Sequence, residues 1–378
     1  MTLRQALSQV PDPRAHNRRY PLWGLLALIL VAFLSRVDSL RGVERFARAN
    51  PHLLPHLGLR KAPGHTAITL LLHRLDPEKL QAALGQVFPE ADLGEVLVVD
   101  GKHLRGSGKG KSPQVKLVEV LALHLHTTLA QARAEGREEK AFLELLDRLE
   151  ARELEGKVVV GDAGYLYPEV AARVRKKRGD YLLVLKGNQE ELLSWALEVF
   201  KGMAGRRLPG ETEATWSGVR DGEVWETEAT WSGVRDGEVW TYRVWASPYL
   251  PEEVRAFPGA RQVVRLWREV RHKGTGEVRR TVSYALTSLG PEVADAKRLG
   301  SLLLSRWEVE NRSFWVRDVC FGEDACQVRG VGAWVLAVLR AFLVSMLHRE
   351  GVREKKAALE IFSFNPLSAL RFLGLYAA

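Results

Sequence analysis

The sequence predicts an α/β protein in which a mixed-sheet core follows a basic helical segment and is interrupted by a β-rich insertion. Three observations carry this. Apolar residues near the N-terminus recur at helical spacing. Two later runs, EVLVVD and KVVVGD, are short, continuous and rich in valine, and each ends on an aspartate. From about residue 206 the pattern alternates residue by residue between turn signals. With 378 residues and 46% hydrophobic content the chain can bury a substantial core.

Residues 1–90 are expected to form a basic helical domain. They hold 12 Lys plus Arg against 6 Asp plus Glu, so most of the chain's net +9 sits in its first quarter. Such an excess points to a polyanionic partner. The run LWGLLALILVAFL at Leu22–Leu34 has 13 residues, short of the roughly 20 needed to cross a bilayer. Flanked by Arg18, Arg19 and Arg36, it is expected to be a buried helix rather than a signal peptide. SLRGVERFARANPHLL has the spacing of a surface helix, and Gly64-His65-Thr66 opens another over AITLLLHRLD. These short basic helices fit either a helix-turn-helix-like DNA-binding module or a bracing domain. Cys320 and Cys326 offer neither a disulfide framework nor zinc spacing, which suits a reducing cytoplasm.

Residues 91–205 read as the first part of the core. EVLVVD is a strand ending at Asp100. VKLVEVLALHLHTTLAQARA is a pair of strands turning near His126-Thr127. EEKAFLELLDRLE is an amphipathic helix, KVVVGD a strand ending at Asp162, PEVAARVRKKRG a helix and DYLLVLKG a strand. Three strands, a helix, a strand, a helix and a strand is the order of an RNase H-like core. Residues 206–290 form the β-rich insertion, with TYRVWAS, RQVVRLWREVR and RRTVSYALTS as strands. Inside it ETEATWSGVRDGEVW occurs twice, at 211–225 and 226–240, identical over 15 positions. Two perfect copies make no solenoid and read as a recent duplication of the coding segment. Residues 291–378 return to helix and complete the core.

The chemistry centres on carboxylates. Asp100 and Asp162 each follow an apolar strand, at the sheet rim where active sites of α/β folds collect. Side by side they suit Mg2+, which takes one or two carboxylates plus waters and phosphate oxygens. Each taken alone also fits an ordinary turn. In SLLLSRWEVENRSFWVRDV, a uniform α-helix puts Arg306, Glu310 and Arg317 within about 40° on one face. An intrahelical Arg306–Glu310 ion pair fits that spacing equally well, and Glu323 and Asp324 are rival acids. Trp216, Trp225, Trp231, Trp240 and Trp245 of the insertion can stack on an extruded base or pack a small sheet face.

VPDPRAHNRRYPL, VVDGKHLRGS, VVVGDAGY, YLLVLKGNQEEL and RWEVENRSFWVRDVCFGEDACQVR occur in this order over nearly the whole chain. Together they resemble the motifs of the insertion-sequence DDE transposases of the H-repeat-associated (ISAs-type) branch. The resemblance implies a DNA transposase that binds terminal inverted repeats and target double-stranded DNA, as a homodimer, in the bacterial cytoplasm and without a membrane. It implies Asp100, Asp162 and Glu310 as the catalytic triad holding two Mg2+ (or Mn2+) ions for two-metal phosphoryl transfer. It further implies DNA contacts from Lys102, Arg105, Lys186, Asn188, Gln189, Arg306 and Arg317. The chain departs from the family's pattern at several places. Leu303 stands at the usual Tyr, Ser313-Phe314-Trp315 replaces Leu-His-Trp, Arg137-Glu138-Glu139 lacks the usual Asn, and Gly237-Glu238-Val239-Trp240 loses an Arg. With the tandem copy, these leave open a decayed descendant that only binds DNA, or an RNase H-like nuclease.

Overall fold

The computed structural model describes residues 1–14, 18–88, 94–108, 110, 113–124, 126–202, 212–219 (by their backbone) and 238–376. Most of the tandem repeat, including Trp225 and Trp231 and the Trp216 side chain, lies outside the described residues, as do residues 15–17 of the opening motif.

The chain opens with α1 (Leu3–Gln9), α2 (Leu22–Leu34), α3 (Leu40–Ala49), α4 (His65–Leu72) and α5 (Pro77–Gly85). Strand β1 (Val96–Leu104) leads to the hairpin β2 (Val115–Ala122) and β3 (Thr127–Arg133), then α6 (Glu138–Arg148) and α7 (Ala151–Leu154). Next come β4 (Val158–Gly161), α8 (Pro168–Lys176), β5 (Asp180–Leu185) and α9 (Glu190–Gly202). The insertion supplies β6 (Thr212–Val219), β7 (Glu238–Ser247), α10 (Glu252–Arg255), β8 (Gln262–His272) and β9 (Val278–Thr287). Then follow α11 (Ala296–Val309), a π-helical turn (Glu310–Phe314), α12 (Trp315–Phe321), α13 (Gly330–Arg349), α14 (Lys355–Phe364) and α15 (Pro366–Phe372). The order βββαβαβ, with β2–β3 an antiparallel hairpin and β1, β4 and β5 parallel, makes the core RNase H-like. One expectation is corrected: β1 does not end at Asp100 but runs on to Leu104. After the apolar run its side chains alternate, with Lys102 and Leu104 buried and His103 exposed, so pairing continues with one face inward.

The chain divides into two compact units. One comprises Met1–Gly94, Gly101–Gly136 and Arg312–Ala378, the other Glu95–Asp100 and Arg137–Asn311. In the second unit the strand order is β1-β4-β5-β9-β8-β7-β6. The insertion strands therefore extend the core sheet, with β9 antiparallel to β5 through Leu182↔Thr287 to Leu185↔Tyr284. Trp240 and Trp245 lie against arginines of that sheet, Arg268 at 4.0 Å and Arg265 at 5.0 Å from the ring centroids.

The first unit is built round α2 and α13. A helix apolar on every side must be buried on every side, and α2 packs against α1, α3, α13, α14 and α15. The N-terminal helices thus share one hydrophobic core with the C-terminal ones. Helix α13 is long and apolar enough to cross a membrane, yet 83% of its most apolar window is buried inside the protein.

A buried and a half-buried histidine mark this core. The His126 and His348 rings lie 4.5 Å apart. His348 Nε2 donates to the Arg312 carbonyl at 3.0 Å, and His126 Nε2 accepts from Arg312 Nη1 at 3.2 Å. Burial pushes His348 down to about 4 and His126 to about 2, helped by the positive charges of Lys355 and Arg312. Both are neutral in the fold, so below pH 6.5 the unfolded chain binds protons that the fold does not. Their contribution is complete above about pH 6.5 and is lost as pH falls toward 4. Urea denaturation is expected to show His348 alone removing about 2 kcal/mol between pH 7 and pH 5. His348→Gln should remove that share of the slope and leave the share due to His126.

Candidate active site

Parallel β1 and β4 run in register, with Val98↔Val160 and Val99↔Gly161. Asp100 and Asp162 each stand one residue beyond the last pair of this ladder, where neighbouring strands are about 5 Å apart by ordinary spacing. Gly161 permits this approach. A Cβ there would lie 2.6 Å from Val99 Cγ1 and 3.1 Å from Leu183 Cδ2. Asp162 keeps extended backbone (φ −82°, ψ −178°) and caps the turn that follows, its Oδ1 accepting from the Gly164 amide at 2.7 Å. Its Oδ2 lies 3.5 Å from Lys186 Nζ.

Tyr165 is fully buried, and its hydroxyl donates to Glu138 Oε2 at 3.0 Å. Burial first, then the charges of Glu138, Asp100 and Asp162, hold its proton far more tightly than in an ordinary tyrosine. The tyrosine therefore registers both aspartates. Asn188 Nδ2 donates to the Ala163 carbonyl at 2.8 Å, and Gln189 Nε2 to the Leu166 carbonyl at 2.6 Å. These two amides staple the loop that carries Asp162, and Asn188 remains exposed.

Glu310 is exposed and opens the π-helical turn that follows α11, which packs against β4, β5, β7 and β8. Such turns recur at functional sites. Among the described residues Arg306 forms no ion pair with Glu310, and its Nε is buried without a hydrogen-bond partner. The expected single face of Arg306, Glu310 and Arg317 is corrected. A π turn advances fewer degrees per residue than an α turn, so the spacing that assumed a uniform helix fails beyond Glu310.

In the first unit Arg317 is fully buried between two carboxylates. Its Nη1 donates to Glu119 at 2.6 and 2.7 Å, and its Nε lies 2.8 Å from Glu323 Oε2. Burial alone would favour losing the proton, but Glu119 and Glu323 outweigh it and keep the guanidinium charged. Lys102 is likewise turned inward, its Nζ 2.6 Å from both Asp318 oxygens and 3.5 Å from Asp324. Burial raises the Asp318 carboxyl and Lys102 opposes that shift. Arg105 remains 77% exposed, 3.3 Å from Asp324. A Cβ on Gly106 would lie 2.5 Å from the Cys326 carbonyl oxygen. The residues after the first Asp are thus locked onto the turn after α12, and neither Lys102 nor Arg317 is presented to a ligand.

Sequence reasoning missed Glu119, Glu138, Tyr165 and Asp318. Glu119 left a signal, since a lone charge inside the apolar strand KLVEVLA requires a buried partner. Among the described residues no group of three His, Cys, Asp or Glu side chains is gathered closely enough to hold a metal ion. The adjacent pair Asp100 and Asp162 supplies the hard oxygen donors that Mg2+ prefers.

A family model described as "Transposase DDE domain" matches residues 92–347, and one described as "DDE_Tnp_1-associated" matches residues 4–87. This chain belongs to the transposase DDE-domain family. H repeat-associated putative transposase YhhI of Escherichia coli (strain K12) is 24% identical over 383 residues, 95% of each chain. Putative transposase YncI of Escherichia coli O157:H7 is 23% identical over 368 residues, 93% of this chain and 89% of its own. A cryo-EM structure of a piggyBac transposase synaptic complex with hairpin DNA superposes with a TM-score of 0.43 at 10% identity, over 98% of this chain and 78% of that one. The protein is thus a DNA transposase of the DDE type.

In this transposase the Arg317 cluster is a structural device. Arg317→Met leaves two buried carboxylates facing each other, and is expected to cost about 3–5 kcal/mol of unfolding free energy. Replacing Glu119, Arg317 and Glu323 together by apolar residues of similar volume should recover most of that loss. Urea midpoints of the two variants check both statements.

Proposed function

We propose that Asp100, Asp162 and Glu310 are the catalytic acids with which this transposase holds two Mg2+ or Mn2+ ions and cuts and joins DNA at element ends. The observation that supports the reading is the β1–β4 register, whose last pair, Val99↔Gly161, is followed on each strand by an aspartate. Their all-oxygen donor set suits a hard divalent ion. Glu310, exposed at the start of a π turn on a helix packed against β4, is the third acid. When bound, such ions activate the attacking water or 3′-hydroxyl and stabilise the leaving oxygen of an in-line displacement.

The protein's own residues position the rest. Asn188, Gln189 and the Gly164 amide hold the Asp162 loop in place, and the Tyr165–Glu138 bond braces it from below. Lys186 is 58% exposed beside Asp162 and can meet an incoming phosphate. Arg105 and Arg306 are the remaining candidates for DNA contact. The same reading takes terminal inverted repeats and target duplex as partners, a homodimer on DNA as the acting form, the helices of residues 1–90 as a DNA-binding domain, and the cytoplasm as the location.

The test is a supercoiled plasmid carrying candidate element ends, incubated with Mg2+ or Mn2+. Nicking at the ends and strand transfer are expected. Asp100→Asn should lower both by about 10³-fold, roughly 4 kcal/mol of barrier, with DNA binding retained. DNA binding without cutting by the unaltered chain would sink the catalytic assignment in favour of a decayed descendant. Cutting with no preference for ends would indicate a nuclease.

A further inference from the structure

The helical unit carries a basic groove that the carboxylates do not touch. It is formed by Arg18 and Arg19 ahead of α2, by Arg60 and Lys61 in the turn after Gly58, and by Arg48 near the end of α3. Arg60 and Lys61 line two adjoining depressions, of ≈ 780 and ≈ 1100 Å³, and join them into one channel. All five cations are exposed. Among the described residues the only carboxylate lining the channel is Asp12, which is already bonded to Arg14 at 2.8 Å and lies 3.3 Å from Arg18. Arg41 and Arg45, exposed at i and i+4 of α3, continue the charge along one helix face, where Arg48 is paired with Glu44 at 2.5 Å.

We propose that this channel is a sequence-independent docking site for the phosphate backbone of duplex DNA. The inference rests on the reading that the protein acts on DNA, and adds where the helical unit holds it. Like charges gathered at one surface repel one another unless a polyanion neutralises them. Separate cations spaced along a channel match a row of phosphates better than one small anion. An anionic membrane would require an apolar face exposed beside the charge. Here Leu22 is buried in the channel floor, and the Trp23 ring is covered by the Arg4 guanidinium at 4.6 Å. Each phosphate neutralised releases condensed counterions, so the contribution of the channel is read from salt dependence.

The test uses the full chain and a short random-sequence DNA duplex in EDTA, followed by fluorescence anisotropy across a salt series. The variant combines Arg19→Gln, Arg60→Gln and Lys61→Gln. Its affinity is expected to fall about 10²-fold at moderate salt, with the slope of log K against log salt reduced by about 2–3. All three side chains are exposed, so the melting temperature should stay unchanged. Arg60→Lys alone should keep the affinity. Equal affinity and equal slope in the triple variant would overturn the inference, whether or not the protein cuts DNA. Cutting is measured separately with Asp100→Asn. A chain whose binding depends on the channel but that never cuts would overturn the catalytic reading and leave the channel in place.

Discussion

The site depends on the parallel register of β1, β4 and β5. Residues Val96–Val99 pair with Val158–Gly161, and these in turn pair with Asp180–Leu183. A slip of one residue would turn every side chain of a strand to the opposite face and separate the two aspartates. The register holds because valines and leucines on both sheet faces are buried, and because Gly161 leaves room for Val99 and Leu183. Asp100, Asp162 and the region of Lys186 then reach the same rim of the sheet without further instruction.

The basic and amide residues of the motifs divide by their surroundings. Lys186 and Arg105 are exposed. Lys102, Arg317, Asn188 and Gln189 are engaged by protein groups. The two buried ionic clusters of the first unit join motifs far apart in sequence, Lys102 with Asp318 and Glu119 with Arg317 at 216 and 198 positions' separation. A pattern that recurs along such a chain therefore reports packing as well as chemistry. In both clusters each buried charge faces one of opposite sign, and breaking such a pair by removing one partner is costly.

The insertion and the terminal helices follow the same logic of completing a surface. Strands β6 to β9 continue the sheet from β5, so the insertion adds breadth to an existing layer. Helices α1 to α5 share one core with α13, α14 and α15, in which α2 is buried on every side while α3 exposes arginines.

The element order, the uniformly apolar α2, the aspartate that follows β4 and the excess of charge near the N-terminus were legible in the sequence, because each depends on local periodicity or composition. Five ordered motifs also pointed to the transposase family. What lay beyond one dimension was decided by tertiary structure. A π turn at Glu310 broke the helical phase that linked it to Arg317, and no local pattern announces such a turn. Burial, which depends on residues far away in the chain, converted Lys102 and Arg317 from apparent phosphate contacts into ion pairs. The adjacency of Asp100 and Asp162 belongs to both levels. The sequence determined that each aspartate follows a buried apolar run, and only hydrogen bonding between β1 and β4 decided that those runs are neighbours paired in register up to the residues before them.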